Sequence, residues 1–122
     1  MKTHTTNDTK TAIISAALDY YEGWFDGRPD RMERALHPEL TKRSIEPDES
    51  IETLSARQMI DATGEGVGRR RDPGDRNIRV HVDHVHGSIA TATVTSAVYV
   101  DYLQLARIST EWKILNVLWA RA

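Results

Sequence analysis

The sequence predicts an α+β domain in which three helices come first and an antiparallel meander of strands follows. Three observations carry this reading. Helical periodicity dominates the first half of the chain, period-two patterning dominates the second, and the connections between the later strands are short enough to make them antiparallel neighbours.

The first helix is expected from Asp8 or Thr9, either of which can cap it, to Asp26. Ile13, Ala17, Tyr20 and Trp24 fall on one stripe, and Ile14, Leu18, Tyr21 and Phe25 on the next. Ser15, Asp19, Glu22 and Asp26 take the opposite face, so the helix is amphipathic with an aromatic inner surface. Gly27 is placed to stop it. Pro29 and Asp30 open a short second helix carrying Met32, Ala35 and Leu36, and Pro38 ends it at His37. Glu39 to Ile45 is expected as a strand, followed by a polar turn at Glu46-Pro47-Asp48-Glu49. Ser55 caps a third helix through Met59 and Ile60, which gives way to Gly64, Gly66 and Gly68. Beyond Asn77, Ile78, Val80 and Val82 alternate with Arg79, His81 and Asp83 up to a turn at His86-Gly87. Ser88 to Ala97, Asp101 to Ile108 and Trp112 to Arg121 complete the meander, with a tight turn at Ser109-Thr110-Glu111. In the last strand Trp112, Ile114, Leu118 and Ala120 point one way around Asn116. Lys113, Leu115, Val117 and Trp119 point the other, so both faces are largely apolar and both need cover.

Composition narrows the function classes. The chain has 122 residues, a length expected for one domain, here residues 8–122 after a poorly ordered stretch at 1–7. There is no Cys, which excludes a disulfide framework, a thiolate zinc site and a thiol nucleophile. Sixteen Lys and Arg against eighteen Asp and Glu give a net charge of −2, against a general nucleic-acid binder. The first 61 residues hold 8 basic and 12 acidic side chains and the last 61 hold 8 and 6, so the halves differ in sign. No apolar run approaches the ~20 residues of a membrane span, and Met1 to Lys10 is polar, so a soluble, cytoplasmic protein is expected.

Tyr20-Tyr21-Glu22-Gly23-Trp24-Phe25-Asp26-Gly27 and Ala35-Leu36-His37-Pro38-Glu39-Leu40 resemble the opening of the nuclear-transport-factor-2-like superfamily. Val100 to Leu105 and Trp112 to Trp119 resemble its closing hairpin. The sequence is similar to the branch labelled putative lumazine-binding, near the SnoaL-like polyketide cyclases. The resemblance implies a cone-shaped, cystatin-like fold: a curved sheet over three helices, a cavity at the wide end, and homodimers formed through the outer face of the sheet. It implies no single activity, because the superfamily includes isomerases, dehydratases, hydrolases and cyclases as well as adaptors and association domains.

In the ketosteroid-isomerase branch a helix-one Tyr and a strand carboxyl form an oxyanion hole, and a carboxylate base stands on the first strand. Residue by residue, Tyr20 or Tyr21 supplies the phenol and Asp101 the carboxyl. The base has no counterpart, because Thr41, Lys42, Arg43 and Ser44 occupy the first strand, and none abstracts a proton without unusual tuning. The tyrosines serve equally as core packing with satisfied hydroxyls. Asp101 interrupts an apolar run and must be paired, hydrogen-bonded or protonated; it lines a pocket or caps a turn. His37 is an acid–base candidate or a ligand of a helix-end carbonyl. His84 and His86 share a strand face while His81 and Asp83 take the other, which leaves the pair short of a third metal ligand. Arg69 to Arg71, beside Asp72 and Asp75, reads as a solvated mixed-charge loop. No phosphate-binding or dinucleotide-binding glycine pattern and no serine nucleophile elbow is present.

The reading is a small-molecule-binding domain with an apolar cavity lined by Tyr20, Tyr21, Trp24, His37, Asp101, Asn116 and Trp119, with no cofactor and no metal. The alternatives are a metal-free lyase, isomerase or cyclase with unassigned catalytic residues, and an association module with a filled cavity. The expected partners are a second copy of the chain and a small-molecule ligand, with neither nucleic acid nor membrane.

Overall fold

Helix α1 spans Thr5–Asp26, α2 Pro29–Ala35 and α3 Ala56–Gly64, in a computed structural model that describes residues 5–69 and 72–122. The strands are β1 (Leu36–Ile45), β2 (Ile51–Ser55), β3 (Arg79–His86), β4 (Ile89–Thr95), β5 (Tyr99–Ile108) and β6 (Glu111–Arg121). They form one open six-stranded sheet in the order β2-β1-β6-β5-β4-β3. Helix α1 starts at Thr5, before either expected cap, so residues 5–7 are helical backbone; residues 1–4 lie outside the described residues, as do Arg70 and Arg71 of the arginine run.

Local chemistry sets the helix ends. Gly27, at φ +69°, closes α1 as its C′ residue: the Arg28 N–H bonds the Gly23 carbonyl at 2.8 Å and the Gly27 N–H the Trp24 carbonyl at 3.3 Å. Helix α2 then folds back against α1. A Cβ at Gly23 would stand 3.1–3.3 Å from Arg31 Cβ, the Met32 nitrogen and the Arg28 carbonyl, so glycine permits the close crossing. Asp19 is buried between the two helices, held by Arg31 at 2.9 Å and Arg34 at 3.0 Å. Burial pushes its carboxyl up, but the two guanidinium groups outweigh that and hold it below the usual carboxylate range. Ser55 and Gln58 form a reciprocal capping box that starts α3.

Four features depart from the sequence-based expectation. Helix α2 ends at Ala35 and Leu36 already belongs to β1; Pro38, without an N–H, sits where the ladder to β6 is interrupted between Leu36 and Thr41. The short edge strand β2 was not anticipated, because its residues are mostly exposed and Ser55 serves both as its last residue and as the α3 cap. The sheet is mixed: β1 and β6 are parallel, and since 65 residues separate their facing ends no tight turn dictates their direction.

The fourth departure is the most consequential. Strict alternation fails at two register shifts, between Val82 and His84 in β3 and between Gln104 and Leu105 opposite β6. Each inserts an unpaired residue and reverses the side-chain parity beyond it. In β6 the inner face is therefore Trp112, Ile114, Val117 and Trp119, and the outer face beyond Leu115 carries Asn116, Leu118 and Ala120. In β3 the shift brings His84 and His86 onto the outer face that already carries His81, correcting the expectation that they point apart. The inner face packs Ala92, Val94, Leu103, Ile114 and Val117 against Ile13, Phe25, Met32 and Met59 of the helices.

Candidate functional site

The aromatic stripe of α1 faces the strand pair β5–β6 and leaves space between them. The cavity measures about 340 Å³. Tyr20, Tyr21 and Trp24 wall it from α1, Lys42 from β1, Leu54 from β2, and Met59 and Val67 from α3 and the segment after it. Tyr99 and Asp101 of β5 and Trp119 and Arg121 of β6 complete the wall. Val67 and Arg121 are exposed and stand at its rim.

At the inner end, Asp101 is only 2 % exposed and accepts two phenolic hydrogen bonds: Tyr20 Oη to Oδ2 at 2.7 Å and Tyr21 Oη to Oδ1 at 2.5 Å. The Tyr21 hydroxyl also lies 3.2 Å from the Val94 carbonyl oxygen. Burial lifts the Asp101 carboxyl above its ordinary value, opposed by nearby Lys42 and by the two phenols. Burial, and then the adjacent carboxylate, push both tyrosines up, so they remain protonated donors.

Lys42 is the second polar group. It projects from the inner face of β1 between Leu40 and Ser44 and is 8 % exposed. Its ammonium sits 5.0 Å from the Tyr20 ring centroid, 5.0 Å from Trp119 and 5.8 Å from Trp24. Among the described residues it forms no hydrogen bond and no ion pair. Burial brings its pKa down to about 8, against the pull of Asp101 and Glu52. Three ring faces are the cation's close contacts among the described residues.

The remaining wall is ordered by aromatic contacts. Trp24 Nε1 donates to Tyr99 Oη at 3.2 Å, and Tyr99 packs edge-on against Trp119 at 5.6 Å and stacks on Phe25 at 5.9 Å. Gly68 lies against the Trp24 indole so closely that a Cβ there would come within 2.0 Å of Nε1. Gly68 is the position where backbone closes over an aromatic ring. Gly68→Ala is expected to displace Trp24 or the loop, at a cost of about 1–3 kcal/mol. Chemical denaturation read through tryptophan fluorescence measures it, and a wild-type midpoint would show that the contact relaxes freely.

Five of the seven residues singled out from the sequence line this cavity: Tyr20, Tyr21, Trp24, Asp101 and Trp119. His37 does not. Because β1 begins at Leu36, His37 is a strand residue rather than a helix end, and its Nδ1 accepts the Glu39 N–H at 3.0 Å. Asn116 does not either. The β6 register shift turns it to the outer face, where its amide donates to Gln104 Oε1 at 3.1 Å. Lys42 was considered only as a failed carboxylate position, and Tyr99 and Arg121 were not considered. The signal for Lys42 lay in the strand itself, where a lysine shares the inward parity of Leu40 and Ser44.

His81, His84 and His86 are all exposed on the outer face, with Thr93 Oγ1 donating to Asp83 at 2.7 Å beside them. Among the described residues no group of three or more His, Asp or Glu side chains is disposed to hold a metal ion. No described helix is long and apolar enough to cross a membrane.

An open, curved α+β sheet over three helices, with an aromatic cavity beneath it, is the architecture of the cystatin-like and NTF2-like folds. The chain belongs to the family whose description reads "Putative lumazine-binding", whose model matches residues 8–120. It is similar to an NTF-2 like protein of unknown function from Silicibacter pomeroyi, with TM-score 0.78, 14% identity and coverage of 96% of this chain and 98% of that one. A protein of unknown function with a cystatin-like fold from Nostoc punctiforme has TM-score 0.66 and 8% identity, covering 93% and 90%. A ketosteroid isomerase-like protein from Erwinia carotovora atroseptica has TM-score 0.60 and 10% identity, covering 91% and 94%. At these identities the likeness is one of fold. No curated protein matches the chain.

Proposed function

We propose that this domain binds a flat, largely apolar small molecule in the cavity between α1 and the inner face of β5–β6. The observation that carries the reading is a cavity of about 340 Å³ walled by five aromatic rings, with Lys42 and Asp101 as its buried charged groups. The family's description names lumazines, which are flat bicyclic heterocycles, and aromatic walls suit that shape.

Binding is favoured over isomerase-type proton transfer. An oxyanion hole needs donors aimed at the ligand, whereas both helix-one phenols direct their hydrogens at Asp101. The inner face of β1 presents Leu40, Lys42 and Ser44, with no carboxylate base. An association module with a filled interior is disfavoured by the volume of the cavity.

The test is calorimetric. Neutral 2-naphthamide is expected to raise the thermal midpoint of the wild-type protein in proportion to the logarithm of its concentration. Trp119→Ala should weaken that response about tenfold, while the outer-face change Tyr102→Ala should leave it intact. An unresponsive wild type, or equal responses in the two variants, would remove the cavity as the binding site.

We also propose that two copies associate through the outer face of the sheet. Ile89, Tyr102 and Leu118 lie there, 60 %, 58 % and 49 % exposed. Tyr102 and Leu118 are directly paired across β5 and β6, in a face interrupted by Thr91, Gln104 and Asn116. A two-fold axis makes one such patch its own complement.

A further inference from the structure

The hydrogen-bonding groups that the cavity leaves unused are donors. The Lys42 ammonium has no polar partner among the described residues. The Tyr99 hydroxyl accepts from Trp24, and no acceptor for its own hydrogen is found among the described residues. Arg121 lies over the Tyr99 and Trp119 rings, 6.0 and 5.9 Å from their centroids, with no carboxylate bound to it among the described residues. The one acidic group of the wall, Asp101, has each oxygen engaged by a phenol. Within the wall two cations face one capped carboxylate, and Glu52 of β2 acts on Lys42 from outside the wall.

We propose, building on the cavity-binding reading, that the ligand is a flat aromatic anion whose negative group pairs with Lys42 while its ring stacks between Trp24 and Trp119. A buried ammonium with ring faces for contacts and no hydrogen-bond partner among the described residues is poorly compensated, and a ligand anion is the partner that completes it. The same rings that flank Lys42 flank the space beside it, so one molecule meets both the charge and the stacking surfaces. Because charge-assisted hydrogen bonds are about twice as strong as neutral ones, the preference for an anion over its neutral isostere is large.

The preference has a pH signature. Lys42 is charged below about 8 and becomes neutral above it. The groups acting on it are Tyr20 from α1, Glu52 from β2 and Asp101 from β5; Tyr99 of β5 and Arg121 of β6 share the cavity wall, to which α3 contributes Met59. Tyr20 and Tyr21 stay protonated, so loss of anion binding between pH 7 and 10 reports Lys42.

Titration calorimetry of 2-naphthoate against 2-naphthamide tests the inference, since the two share ring and shape and differ in charge. At pH 7 naphthoate should bind at least tenfold more tightly, and the ratio should collapse toward one by pH 10. Lys42→Met should abolish the preference while keeping the amide affinity, which also shows that the variant is folded. Lys42→Arg should retain naphthoate binding at pH 10, where the wild type has lost it. Equal binding of the two probes by the wild type, or a preference that survives in Lys42→Met, overturns the inference and leaves the cavity reading standing. Binding of neither probe overturns the cavity reading and the inference with it.

Discussion

Replacing Asp101 by Leu should destabilise the protein by about 2–5 kcal/mol, because it leaves two buried phenolic donors without their acceptor at about 1–3 kcal/mol each. Tyr21 recovers part of this through the Val94 carbonyl, 3.2 Å away; Tyr20 has no such alternative. Asp101→Asn should cost far less, since one carboxamide oxygen still accepts a phenol and the amide can donate to the other phenol's oxygen. Tyr20→Phe and Tyr21→Phe added to Asp101→Leu should restore most of the loss, because removing both partners is nearly neutral where removing one is not. Urea midpoints of these variants decide it. If Asp101→Leu unfolds with the wild type, water has taken over the phenols and the cluster contributes nothing. The pH dependence has a definite direction. Burial lifts the Asp101 carboxyl above 3.8, so the fold favours its protonated form. Its contribution is complete below 3.8 and is lost as the pH rises through the lifted value. Asp101→Asn should remove that stretch of the stability profile.

Leu118→Asp should convert a dimer into monomers. Leu118 and Tyr102 are neighbours on the outer face, and each large apolar side chain covered by a second copy contributes roughly 1.5–3 kcal/mol. A carboxylate there would be desolvated against its own symmetry mate. Val67→Asp, exposed at the cavity rim rather than on the sheet, is the control and should leave assembly unchanged. Sedimentation at micromolar concentration gives the answer. Wild type at twice 13.8 kDa and Leu118→Asp at 13.8 kDa is the expected pair. Wild type at 13.8 kDa ends the proposal.

Helices and cavity walls were legible where one side chain's environment follows from its neighbours along the chain. The stripe Ile13, Ala17, Tyr20, Trp24 has the helical period, so its burial needs no knowledge of the partner. Asp101 announced itself by breaking an apolar run. The errors arose where geometry is set by a distant strand. A one-residue bulge leaves no clear mark in the hydrophobic pattern of β6, because Leu115 is as apolar as the Ile114 before it. Both of its faces therefore read as apolar, and Asn116 was assigned to the wrong side. His37 was misplaced because Pro38 excludes helix without saying how soon a strand begins. Lys42 was missed for a chemical reason: a charged residue in a strand reads as solvent-facing until the rings that surround it are known.

The central position of β6 also bears on how the chain is made. The strand that joins β1 and β2 to β3, β4 and β5 is the last of the six to be synthesised. Without it the sheet divides into β2-β1 and β5-β4-β3, and the backbone groups that β6 pairs stand open along β1 and β5. The ladder that joins the two parts of the sheet therefore forms only after the other five strands are made. The interval before β6 arrives is when the β1 and β5 edges are open to the wrong partner.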